Sequence, residues 1–130
     1  QGEEQTLTSL MDLAKEGVFI AQALVRRGGS CSRSLSCLAA DHRRALRQLS
    51  AAYFLITGQR YRPPTPSVVI NASLPLALRD QFVWEQRWER ANQQAAETTS
   101  DACLKELYQE LAQDGVLHAA TIRSLLEQMG

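Results

Sequence analysis

The sequence predicts an all-α protein: one antiparallel four-helix bundle with a long crossover between its second and third helices. Three observations carry that expectation. Four stretches of similar length place apolar residues three and four apart, the period of one helix face. Only Ser67 to Ile70 offers a candidate strand; no other stretch shows strand alternation between turn residues. The links between the stretches run short, then about 15 residues, then short, and short links force antiparallel neighbours.

The first helix is expected from about Thr6 to Arg27, with Leu7, Met11, Ala14, Val18, Ala21 and Val25 along its seam. Leu10, Leu13, Phe19, Ile20 and Leu24 widen that seam, so much of the circumference should be buried. Gly28-Gly29 ends it, because glycine accepts the left-handed conformation of a helix C-terminus. The second helix is expected over about Ser34 to Thr57, stopped by Gly58, with Leu35, Leu38, His42, Ala45, Leu46, Leu49, Tyr53 and Ile56 facing inward. Pro63-Pro64-Thr65-Pro66 cannot be helical and holds an extended path that carries the chain back along the bundle.

Ser73 can cap a third helix over about Leu74 to Thr98, whose inner face holds Ala77, Leu78, Gln81, Trp84, Glu85, Trp88, Asn92 and Ala95. This reading takes Asn71-Ala-Ser73 as a helix start rather than a glycosylation sequon. Ser100 or Asp101 caps the fourth helix, with Leu104, Leu107, Tyr108, Leu111, Gly115, His118, Ala119, Ile122, Leu125 and Leu126 as its stripe. Helices of roughly 22 to 27 residues are about 33 to 40 Å long. Six seam residues should be largely buried: Ala14, Val18, Leu46, Leu49, Leu111 and Ile122.

Composition fits one domain spanning residues 1–130. Apolar residues make up 45%, charged residues 22%, and formal charge sums to zero. No basic excess points to nucleic acid or an anionic membrane surface. The apolar runs fall short of the roughly 20 residues that span a bilayer. Cys31, Cys37 and Cys103 lack CxxC spacing and read as reduced thiols of a cytoplasmic protein.

Three polar residues interrupt the apolar stripes near mid-helix: His42, Glu85 and His118. Burying such groups costs several kcal/mol unless something pairs with them, so three at one depth suggest a site. One reading is a hydrogen-bonded network without metal, joined by Gln81 and Asn92, with His118 bonded to Tyr53, Tyr108 or a backbone carbonyl. The other is a two-histidine-one-carboxylate set for a single iron, manganese or zinc ion. Trp84 and Trp88 read as core wedges, and Asp114 as a solvated partner of a nearby Arg or Lys. Gly17 and Gly115 each cost about 1 kcal/mol against alanine in a helix interior. Either a close approach of helices one and four, or space left around the site for a ligand or water, would explain them.

Segments 13–21, LAKEGVFIA, and 111–119, LAQDGVLHA, echo each other at an offset of 98 residues. That echo is expected of a duplicated, pseudo-symmetric bundle. Together with LSAAYFLITGQRYRP over 49–63, FVWEQRWERA in helix three and LAQDGVLHAATIRSLLEQ in helix four, the chain resembles the rubrerythrin-like branch of the ferritin-like di-iron proteins. The resemblance covers nearly the whole chain. It implies one Glu from each of helices one and three, and a Glu-x-x-His pair from each of helices two and four.

Carried over to this chain, Glu85 fits the helix-three carboxylate and His118 the helix-four histidine. Gly115 stands where the helix-four glutamate belongs, and the echo places Gly17 at the helix-one carboxylate. On helix two the pair falls on His42 and Ala45. Two irons bring roughly four to six positive charges and need several carboxylates, which one buried glutamate does not supply. The leading expectation is therefore a ferritin-like bundle without di-iron chemistry or a cofactor, acting as a structural, binding or partner-interaction module rather than an enzyme. A homodimer through helix faces fits that role. The alternatives are a mononuclear metalloprotein with oxygen or peroxide chemistry, and an apo scaffold whose cavity holds a small ligand.

Overall fold

The computed structural model describes residues 2–130. Four helices pack together: α1 (Gly2–Arg27), α2 (Ser32–Thr57), α3 (Leu74–Thr98) and α4 (Ala102–Met129). No strand occurs among the described residues, so Ser67 to Ile70 is not one. No described helix is long and apolar enough to cross a membrane.

The helix ends follow local chemistry. Gly28 and a single 3₁₀ turn, Gly29–Cys31, join α1 to α2, and the turn opens at Gly29 with φ 54°. Gly58, with φ 71°, closes α2 and returns its N–H to the Phe54 carbonyl. At the start of α3, Ser73 Oγ accepts from the Leu76 N–H at 3.5 Å and a proline follows in the first turn, where its missing N–H costs nothing. Asp101, rather than Ser100, caps α4, accepting from the Leu104 N–H at 2.9 Å.

Residues 58–73 contain no helix and are tied to α1. Tyr61 donates to Asp12 at 2.8 Å, Lys15 to the Pro63 carbonyl at 2.8 Å, and Arg27 to the carbonyls of Asn71 and Ala72. The segment thus follows α1 from its first half to its last residue. At the other end of α1, Thr99 donates to Glu3.

Packing is uneven. The broad interfaces are α1 with α2 and α3 with α4, and narrower ones join α1 to α3 and α2 to α4. Leu7, Met11, Ala14, Leu49, Trp88, Tyr108 and Leu111 form an apolar cluster toward the start of α1. Ala21, Leu24, Leu35, Leu38, Leu78 and Ile122 form another toward its end.

Five of the six seam residues are buried: Ala14, Val18, Leu49, Leu111 and Ile122. Leu46 is the correction. It is only partly buried, and Ala45 takes the inward position. The last turns of α2 also differ from expectation, with Tyr53 half-buried and Ile56 45% exposed. Beyond Leu49 burial falls off along α2: Ala52 and Tyr53 are partly covered and Phe54, Leu55 and Ile56 are exposed.

Candidate polar site in the bundle core

His42, Glu85 and His118 come from α2, α3 and α4, and the fold brings them together. They are 1%, 0% and 4% exposed. His42 Nε2 donates to Glu85 Oε2 at 2.7 Å, and His118 Nδ1 donates to Glu85 Oε1 at 3.1 Å. Gln81, one turn before Glu85 on the same face, donates to Glu85 Oε2 at 2.9 Å. The other nitrogen of His118, Nε2, faces Asp41 Oδ2 at 2.8 Å. Each helix places its polar group by the same device, an inward mid-helix position in an otherwise apolar stripe.

The hydrogen bonds fix the protonation of His118. Both of its ring nitrogens meet carboxylate oxygens, and a carboxylate only accepts, so both nitrogens carry hydrogen. Burial alone would push its pKa down; bonds to Glu85 and Asp41 overcome that and hold it above the ordinary 6.5. Burial alone would likewise raise Glu85, but the bonds from His118 and His42 hold it at about 2. The core therefore contains a glutamate anion bracketed by two imidazoles, at least one of them cationic.

Asp41 leads the network toward the surface, where Arg44 approaches it at 3.1 Å and Asp114 at 3.8 Å. Sequence reading missed Asp41, which stands one place off the α2 stripe; its only signal is adjacency to His42. Asp114 is paired with Arg44 as expected, with its pKa raised, chiefly by burial. Asn92 does not join the network. It donates to the Trp88 carbonyl at 2.9 Å, and its Oδ1 is buried without a partner.

The tryptophans wall the site. Their rings stack at 6.1 Å, and both meet the His42 ring edge-on, at 5.1 Å for Trp84 and 5.7 Å for Trp88. Trp84 Nε1 donates across to Glu16 Oε1 of α1 at 2.9 Å.

The two interior glycines now have a cause, and it is not an approach of α1 to α4. A Cβ on Gly17 would lie 2.5 Å from Trp84 Cη2 and 3.2 Å from His42 Cδ2. A Cβ on Gly115 would lie 3.0 Å from Glu89 Cβ and 3.2 Å from the Glu85 carbonyl oxygen. Gly17 makes room for a tryptophan, and Gly115 lets the α4 backbone press on α3. In the internal echo, Ala14 and Ala112, Gly17 and Gly115, and Ala21 and Ala119 are all buried, whereas Val18 is buried and Val116 exposed.

A di-iron centre does not fit these residues. The position for a helix-one carboxylate is filled by the Trp84 ring, and Glu85 is the one fully buried carboxylate among the described residues. A single cation is a different matter: one ligand atom from each of His42, Glu85 and His118 lies within 4.8 Å of the others. A groove of about 490 Å³, lined in part by Leu10, Leu13, Pro64, Pro66 and Ala91, involves none of the network residues. No protein-family model, curated protein or solved structure matches the chain.

Proposed function

We propose that this chain is a ferritin-like, rubrerythrin-like bundle that has lost di-iron chemistry and serves as a non-enzymatic structural or partner-interaction module. In this reading neighbouring helices are antiparallel and residues 58–73 are the crossover that lets α2 and α3 run the same way. The bonds of Arg27 to Asn71 and Ala72, and of Thr99 to Glu3, support it, because they join each end of α1 to the opposite end of α3.

The observation that carries the functional reading is the filled position beside Gly17. Where the resemblance calls for a metal-bridging carboxylate, an indole ring packs against a histidine. Oxygen or peroxide chemistry at a mononuclear centre needs a coordination position open to a small molecule. Trp84 and Trp88 against His42 argue for a closed site instead. The apolar side chains exposed on α2 (Phe54, Leu55, Ile56) and α4 (Val116, Leu117) support a role in contacting a partner.

The test is elemental analysis and a peroxidase assay on untagged protein after aerobic reconstitution with Fe(II). The expected result is no iron pair and no Glu85-dependent turnover. Two irons per chain, released by Glu85→Ala, refute the reading.

A further inference from the structure

We propose that His42, Glu85 and His118 form a closed site for one zinc ion, which joins α2, α3 and α4 and does no chemistry. The inference rests on the loss of di-iron chemistry, since an iron pair would claim the same volume.

The donor set comes first. His42 Nε2, His118 Nδ1 and a Glu85 carboxylate oxygen already point at one another within 4.8 Å. Zinc bonds of about 2.0–2.2 Å set tetrahedral donors about 3.3 Å apart. The present separations, 2.7 Å from His42 Nε2 to Glu85 Oε2 and 3.1 Å from His118 Nδ1 to Glu85 Oε1, need to widen by about 0.6 and 0.2 Å. The cation takes the place of the protons that now lie between the rings and the carboxylate.

The surroundings supply what such a site requires. A metal-bound histidine is oriented through its other nitrogen, commonly by a carboxylate, and Asp41 holds His118 Nε2 at 2.8 Å. Gln81 steadies Glu85, and its own Oε1 is buried with no partner although the residue is 1% exposed. The fourth zinc position falls to that unpartnered oxygen or to a water. Charge also closes: one dication is neutralised by Glu85 and Asp41, whereas two irons would be left with a large uncompensated charge. Imidazole with one carboxylate in a closed four-donor shell is zinc chemistry, and redox metals gain nothing from a site walled by Trp84 and Trp88.

The experiment uses the full chain with Cys37→Ser and Cys103→Ser, because both thiols are exposed and can bind zinc. After chelator dialysis it is titrated with Co²⁺ as a spectroscopic probe, then with Zn²⁺. The expected result is one equivalent of cobalt with the visible absorption of a four-coordinate ion, displaced by zinc, and a zinc-dependent rise in Tm. Glu85→Gln should abolish binding. Asp41→Asn, which leaves the three donors in place and keeps the fold, should weaken zinc binding about 10- to 100-fold. No metal-dependent signal at a large molar excess overturns the zinc site while leaving the loss of di-iron chemistry intact. Binding unchanged in Asp41→Asn and Glu85→Gln overturns it too. Two irons per chain would instead refute the reading it rests on.

Discussion

Gly17→Ala gives the sharpest test of the packing. In an exposed helix interior the change stabilises by about 1 kcal/mol through backbone entropy. Here the new methyl would lie 2.5 Å from Trp84 Cη2 and 3.2 Å from two atoms of His42. Carbon atoms rest about 3.5–4.0 Å apart, so the indole has to retreat by about 1 Å. It has little freedom to do so: it is 7% exposed, stacked on Trp88, and bonded to Glu16 through Nε1. Overpacking of this kind costs about 1–3 kcal/mol. Set against the gain, the net is a loss of about 1 kcal/mol. Trp84→Phe removes the ring that carries Cη2 and leaves the 3.2 Å contacts with His42, so in that background Gly17→Ala should be close to neutral, its entropic gain offset by about 1 kcal/mol of crowding. The coupling is then about 1 kcal/mol, within the range for touching residues. Urea unfolding followed by circular dichroism measures all four proteins. A stability gain from Gly17→Ala in the parent, or the same effect in both backgrounds, refutes the reasoning.

Glu85→Ala takes from the buried His118 cation one of its two carboxylate partners and leaves His42 Nε2 without its acceptor, and should destabilise by about 1–3 kcal/mol, read from the urea midpoint. Leu111→Ala should cost about 2–5 kcal/mol, whereas Leu46→Ala, at a half-covered position, should cost less than half as much in the same assay. For the metal-free protein, stability should fall at both ends of the pH range in thermal melts. Glu85 is depressed from 4.5 to about 2, so its contribution is present above pH 4.5 and is lost as pH falls toward 2. His118 is raised above 6.5, so its contribution is complete below that pH and is lost on the alkaline side. Glu85→Gln should flatten both limbs.

Helix positions were legible because the stripes and caps are local: α3 runs from Leu74 to Thr98 as its periodicity predicts. Inward direction was legible for His42, Glu85 and His118 for the same reason. What periodicity does not carry is the depth of the neighbour. Ala45 and Leu46 both flank the α2 seam, and of the two it is the smaller side chain that is buried. Tyr53 and Ile56 continue the stripe to where cover thins, Tyr53 half-buried beside Tyr61 and Ile56 exposed. Asp41 was illegible because its partner is 77 residues away and its own position looks solvent-facing. The role of Gly17 depends on a tryptophan 67 residues later, which no pattern within α1 can announce.

The unequal interfaces have a kinetic consequence. Each broad interface lies between two helices consecutive in the chain, α1 with α2 or α3 with α4, and closes over a short link. The bonds from His42 to Glu85, from His118 to Asp41 and from Trp84 to Glu16 all run between the two pairs. Pairs built from neighbouring segments form early, because little chain entropy is lost in closing them. The polar core is then the latch that engages when two preformed halves meet. Mutations in it should speed unfolding while leaving the folding rate nearly unchanged, and hydrogen exchange should open along the seam between the pairs before it opens within either.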